Sequence, residues 1–469
     1  MKKSGWTFAL ASIFLMSLVL RLWRVGFFNT LVFDEVYYPV FANRYLLGEP
    51  VYNAHPPLTQ YLLTVGIWIG SHLPIGGEIT NGFLGSVRST FSYRWLNAFV
   101  GAWIPVVIGA LAFQLTNRRS YGAIAALFAA FDGLFLVESR FALNNIYLVL
   151  FGLLGHFFLF AALRVPTRPK RSILIVSGVF FGLSAAIKWN GLGFLLGIYL
   201  VWATFLGLKL VRTRSAHQFR SFPLQNLARL NFISLIGYLG IVPAITYCIS
   251  WIPHLLLNPS PGFLEMQQRI FSFHQSVGSG SSVHPYCSPW YSWLVMWRPV
   301  AYLHQTARNT QEIIPSLPPL PKDSATLVYD IHAMGNPILW WLSTVAIVVM
   351  LGYFVQRLWS KQLKWEKLNI SSGLAIYGLC NYGANLLPWL KVTRCTFIYH
   401  YMAASVFATL AIAWLVDAGL RSPRYTFRQI AMAVVVAIAI GFIFWLPIFL
   451  GLPLSPEGYQ MRMWFSNWI

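Results

Sequence analysis

Apolar runs close to the ~20 residues that cross a bilayer as a helix recur along almost the whole chain, separated by polar stretches. Runs at 6–23, 95–116, 121–138, 143–163, 172–187, 191–211, 231–251, 338–357, 370–390, 397–420 and 428–450 predict about 11 transmembrane helices. They are too long and too continuously apolar for barrel strands, and a helix satisfies its own backbone in lipid. The pattern predicts an all-α polytopic membrane protein, one membrane domain over 1–469. Two long segments separate spans, 24–94 and 252–337. The first includes an apolar stretch at 58–70 expected to lie in the membrane interface. The second is rich in Pro, Ser, aromatics and His, as in HPYCSPWYSW, which predicts an ordered layer. Residues 338–469 hold the last four spans. The first run, 6–20, has the length of a signal-peptide core, but no small-x-small cleavage site precedes Arg21 and many spans follow, which favours an uncleaved first helix.

Composition sharpens this picture. Of 469 residues, 57% are hydrophobic, 17% aromatic and 10% charged, against about 25% charged in a soluble domain. The formal charge of +21 sits between apolar spans instead of on one face, so it argues topology and no nucleic acid. Most of the 34 Lys and Arg fall at the N-terminus, 117–120, 164–171, 208–230, 356–368 and 420–428, which share one side when spans alternate. That side is predicted to be cytoplasmic. Nearly all of the 13 acidic residues, including Asp34, Glu35, Glu49, Glu78, Glu138 and Glu265, fall on or near the other side, where chemistry is expected. Cys248, Cys287, Cys380 and Cys395 have no metal or redox spacing, and a Cys287–Cys395 disulfide is left open.

Two clusters and four cations carry candidate chemistry. Phe33-Asp34-Glu35-Val36-Tyr37-Tyr38 puts adjacent carboxylates after the first span. Neighbours point in different directions, so one can act as a base while the other orients the site. In Asn53-Ala54-His55-Pro56-Pro57 two prolines stiffen the backbone around His55. Arg94, Arg140, Lys188 and Arg394 lie at predicted outer helix ends, where the positive-inside bias disfavours them. Together they suggest a site for a lipid phosphate held as leaving group. No Walker glycine loop, HExxH or DxD motif is present, so ATP hydrolysis, zinc proteolysis and a metal-held nucleotide sugar lack support.

In order and spacing, FDEVYY with HPPL about twenty residues later, YRWLN, ESRFALNN, KWNGL, GNPILWW and RCTFIYHY make the chain resemble the protein O-mannosyltransferases over nearly its whole length. That resemblance implies the GT-C membrane fold and transfer of mannose from polyprenyl (dolichyl-type) phosphate mannose to Ser/Thr hydroxyls of secreted or membrane proteins, by single displacement with inversion. It implies Asp34 as catalytic base and Glu35 shaping the site. Arg94 and Lys188 match cations that would engage the donor phosphate, Arg21 matches a basic residue ending the first span, and His55 falls in the His-Pro-Pro element. Arg140 and Arg394 are added from position and charge. The short 252–337 segment has no room for the insertion of eukaryotic relatives, which implies a bacterial-type member in the plasma membrane, its site facing out. Association with a translocon or an oligomer is compatible with this, no certain cofactor is implied, and a divalent-ion requirement is left open. Asn144-Asn145 stands where many relatives are expected to carry an acid.

The nearest rival is the same fold acting on a lipid or glycan headgroup, as in the aminoarabinose transferases. A transporter or flippase is the rival of another class, opposed by the missing internal repeat and by charges gathered near one face. A non-catalytic partner subunit is the third, opposed by Asp34.

Overall fold

The structure, a computed structural model, describes residues 3–164, 170–211, 223–312, 316–365 and 368–469. Its helices are α1 (Lys3–Leu22), α2 (Tyr38–Leu47), α3 (Leu58–His72), α4 (Thr90–Thr116), α5 (Arg119–Ala130), α6 (Gly133–Glu138), α7 (Asn145–Ala162) and α8 (Arg171–Ile187). They continue with α9 (Leu192–Leu210), α10 (Phe232–Leu257), α11 (Phe263–Ser276), α12 (Pro337–Trp359), α13 (Ile370–Leu386), α14 (Ile398–Leu420) and α15 (Tyr425–Leu450). Among the described residues eight helices are long and apolar enough to cross a membrane: α1, α4, α7, α9 with its preceding turn, α10, α12, α14 and α15. Each of the eleven predicted runs is helical, but the count of eleven continuous spans is not reproduced.

The exception with a clear cause is 121–138. The Asp132 carboxylate accepts the Phe135 N–H at 3.0 Å and so caps α6. A short polar side chain inside an apolar run has ended one helix and started another. The 370–390 run likewise leaves α13 at Leu386 and finishes as a 3₁₀ turn, Leu387–Lys391. Within α10, Gly237–Ile241 forms a wide π turn whose Leu239 carbonyl accepts the Tyr199 hydroxyl at 2.5 Å.

Nor is the protein wholly α. Two antiparallel pairs occur, β1 (Thr80–Asn81) with β2 (Arg88–Ser89), and β3 (Val300–Ala307) with β4 (Leu327–Ala333). The second pair draws on Val300, Tyr302, Leu303, Val328, Tyr329 and Ile331, residue types that suit a pleated, half-buried surface. Thus the described residues of 252–337 form an ordered layer of helix and sheet, and the stretch at 58–70 lies in α3.

Helices α7 and α14 are wrapped by the others, with 72% and 78% of their spans buried, against 17% for α1 and α10. Following the helices up and down puts Asp34, Arg140, Lys188 and Arg394 at one end of the bundle. At the opposite end Asp417 takes Arg118 at 3.6 Å and Arg421 at 3.3 Å. The basic stretches 165–169, 212–222 and 366–367 used to predict orientation lie outside the described residues.

Candidate active site

Phe33–Val36 forms a single 3₁₀ turn after α1. Phe33 sits at φ 46°, unusual for a bulky residue. Its ring is held by Tyr302, stacked at 5.5 Å, and by the edges of His284, Phe397 and Tyr399. The turn sends the two carboxylates apart. Glu35 is fully buried toward the helices, while Asp34 stays half-buried on a cavity wall.

Glu35 meets Arg94 on α4 through both oxygens, at 2.7 and 2.6 Å, and its Oε1 also accepts the Ala142 N–H at 2.9 Å. The remaining Arg94 donors go to the carbonyls of Phe28 (2.7 Å), Thr30 (2.8 Å) and Val25 (3.4 Å). Every guanidinium N–H of Arg94 is committed to the protein, so in this arrangement it has no N–H to offer the donor phosphate it was expected to engage. Arg140 is engaged through one nitrogen: its Nη1 donates to the carbonyls of Leu20 (2.9 Å), Trp23 (2.8 Å) and Arg21 (3.3 Å), closing the C-terminal end of α1, while its buried Nε has no partner among the described residues. Arg21, fully buried, donates to Ser17 one turn earlier. Neither Arg21 nor Arg140 lines the cavity that Asp34 faces.

The other expected residues do converge. Asp34, His55, Lys188 and Arg394 line one cavity of about 470 Å³ with Tyr38, Tyr399 and His284. The Tyr399 hydroxyl donates to Asp34 Oδ2 at 3.2 Å. A second cavity of about 530 Å³ shares His55, Lys188, Arg394, His274 and His400 and adds Lys391. It meets a third, about 470 Å³ and apolar, between α9 and α13, bounded by Leu192, Leu195, Leu196, Ala384 and Pro388. The three form a path from a carboxylate, through a cluster of cations and imidazoles, into an apolar groove.

Electrostatics suit that path. Burial pushes the Asp34 carboxyl above its ordinary range, while Lys188, the Tyr399 hydroxyl, His284 and Arg394 pull it back. Burial brings the Lys188 ammonium down to about 8, opposed by Asp34. His55 is held well below its usual value by burial and by Lys188, so at neutral pH it is a neutral donor or acceptor. Lys188 caps the end of α8 in the turn Lys188-Trp189-Asn190-Gly191, and its Nζ reaches Asn145 Oδ1 at 3.4 Å. Arg394 is tethered: the neighbouring Cys395 is bonded to Cys287 with Cα atoms 5.2 Å apart, and Thr396 and Ser288 exchange two hydrogen bonds at 2.8 Å. Among the described residues no three His, Cys, Asp or Glu side chains gather as metal ligands.

Sequence reasoning missed Tyr399, His400, His274, His284 and Tyr302. Tyr399 and His400 stand within RCTFIYHY, a few residues from Arg394, so the motif itself was the available signal. His274 and Tyr302 carry none.

Residues 11–254 match the family model described as dolichyl-phosphate-mannose-protein mannosyltransferase. The chain belongs to that family. Residues 260–468 match the C-terminal four TMM region of protein-O-mannosyltransferase, which contains α12 to α15. Similar curated mannosyltransferases are the polyprenol-phosphate-mannose–protein mannosyltransferases of Corynebacterium glutamicum, 25% identical over 88% of this chain and 81% of that one, and of Mycolicibacterium smegmatis, 24% identical over 94% and 88%. The fold matches the S. cerevisiae protein O-mannosyltransferase Pmt1–Pmt2 complex bound to the sugar donor, with TM-score 0.79, 14% identity and coverage of 100% of this chain and 93% of that chain. This mannosyltransferase has the GT-C fold.

Proposed function

We propose that the protein transfers mannose from a polyprenyl phosphate mannose to Ser or Thr hydroxyls of polypeptides, at the end of the bundle that carries Asp34. The observation that carries this reading is the division of labour in the turn after α1: Arg94 sequesters Glu35, and Asp34 alone faces the cavity with Lys188. Asp34 takes the proton of the acceptor hydroxyl, and the oxygen forms a bond to the anomeric carbon. The bond from that carbon to the phosphate oxygen breaks, its electron pair stays on the phosphate, and the configuration inverts. Lys188 and Arg394, with His55 as a neutral partner, hold the phosphate and stabilise the charge that develops on it. The apolar groove between α9 and α13 receives the first isoprene units of the lipid. The Lys- and Arg-rich end faces the cytoplasm with the N-terminus, and the site opens outside the plasma membrane.

The test is transfer of labelled mannose from polyprenyl phosphate mannose to a Ser/Thr-rich peptide by the purified protein in lipid, beside Asp34→Asn. Labelling that depends on Asp34 is expected. Labelling by Asp34→Asn at the wild-type rate rejects the base, and a folded wild type that labels no peptide rejects the acceptor.

A further inference from the structure

Glu138 closes α6 with no exposed surface, and the reaction above does not use it. An isolated carboxylate in such a place is costly unless it is hydrogen-bonded and its charge is answered. Two donors reach it: the Tyr302 hydroxyl on Oε1, and Asn145 Nδ2 on Oε2 at 2.9 Å. No Lys or Arg forms an ion pair with it among the described residues. The answering charge is one group further on, since the same Asn145 amide turns its carbonyl oxygen to Lys188 Nζ at 3.4 Å. The amide dipole is aligned between anion and cation, donating to one and accepting from the other. On its other side Glu138 anchors Tyr302 of β3, whose ring stacks on Phe33, the residue that leads into Asp34.

We infer that Glu138 is a positioning residue: through Asn145 it holds the Lys188 ammonium toward the donor phosphate, and through Tyr302 it braces the turn that presents Asp34. The inference rests on reading the cavity at Lys188 as the donor phosphate site. It also gives Asn145 a role, as the amide that donates to Glu138 and accepts from Lys188.

Exchange of the two groups tests this in the full-length protein in lipid. In Glu138→Gln/Asn145→Asp the carboxylate moves beside Lys188, the new amide at 138 donates to it, and the amide oxygen still accepts Tyr302. Two readouts are taken: the donor KM and kcat for mannose transfer, and the rise in melting temperature produced by polyprenyl phosphate carrying no sugar. Glu138→Gln is expected to raise the donor KM about tenfold, the scale of one charge-assisted contact, and to weaken the response to polyprenyl phosphate, with kcat affected less. Asn145→Asp alone, which sets two carboxylates against each other, is expected to weaken both readouts. The exchange variant is expected to recover the donor KM to within about threefold of wild type, because each hydrogen bond can be remade. A purely structural Glu138 would instead lower the ligand-free melting temperature in Glu138→Gln without a selective rise in the donor KM or a weaker response to polyprenyl phosphate. Wild-type donor constants in Glu138→Gln, or an exchange variant no better than Glu138→Gln, overturn the inference. If the wild type responds to polyprenyl phosphate but transfers no mannose, the transfer reading fails while the binding readout still decides the role of Glu138.

Discussion

Arg94 and Glu35 are clasped through both carboxylate oxygens, 2.7 and 2.6 Å, with no exposed surface on Glu35 and 1% on Arg94. This pair, 59 residues apart in the chain, withdraws one of two adjacent carboxylates into the helices and leaves Asp34 as the one on the cavity wall.

Arg94→Ala leaves Glu35 as an uncompensated buried charge, a loss on the order of 3–5 kcal/mol. A marked fall in melting temperature and in yield of folded protein is expected. Arg94→Lys keeps the charge without the planar fork and is expected to fall between. A fully stable Arg94→Ala enzyme with a raised donor KM would return Arg94 to the phosphate.

The acid limb of kcat/KM against pH reports the free base. With its carboxyl raised by burial, Asp34 is expected to place that limb above the ordinary carboxylate range, activity rising as pH increases through it. Lys188, Tyr399, His284 and Arg394 all hold the value down. Lys188→Ala removes the largest of these effects, so the limb is expected to move to higher pH as well as the donor KM rising. A limb that stays fixed in Lys188→Ala contradicts the pairing of Lys188 with Asp34.

Much of this was legible beforehand, and what was hidden has a common cause. Apolar runs exposed the helices because lipid imposes length and composition on each one separately. Asp34, His55, Lys188 and Arg394 were legible as polar residues that no apolar helix end requires. Arg94 and Arg140 looked the same by that criterion, yet their partners are Glu35 and the last carbonyls of α1, contacts that exist only after the helices pack. The strands were missed although YDIHA alternates within β4, because so short an alternating run inside a Pro-rich segment resembles loop. Asp132 was overlooked because hydropathy averages over a single capping residue.

Cys287–Cys395 and the Ser288–Thr396 pair fasten the Arg394 segment to the layer formed by 252–337. The double variant Cys287→Ser/Cys395→Ser is expected to raise the donor KM several-fold while leaving the helical bundle intact by circular dichroism, since positioning errors near 1 Å cost up to about 10²-fold. Unchanged donor constants would show that the hydrogen bonds alone hold Arg394.

Helices α9 and α13 meet where Gly193 and Gly197 face Asn385 and Asn381. A methyl group at Gly197 would stand 2.0 Å from Asn381 Oδ1, and one at Gly193 2.4 Å from Asn385 Oδ1. Small residues at such spacing let membrane helices approach closely. Gly197→Ala is expected to lower the melting temperature by the equivalent of about 1–3 kcal/mol of overpacking. An unaltered melting temperature would mean the seam can open without penalty.

The apolar groove beyond Lys188 begins beside that seam and is walled by Leu192 and Leu196, both substantially exposed on a membrane helix. On the function proposed above, one substrate arrives sideways through this groove, dissolved in a two-dimensional fluid, and the other from water. The concentration that governs donor saturation is then a mole fraction in the membrane. Diluting the donor with inert lipid will slow the enzyme at constant total donor, whereas diluting the aqueous volume will act on the acceptor alone.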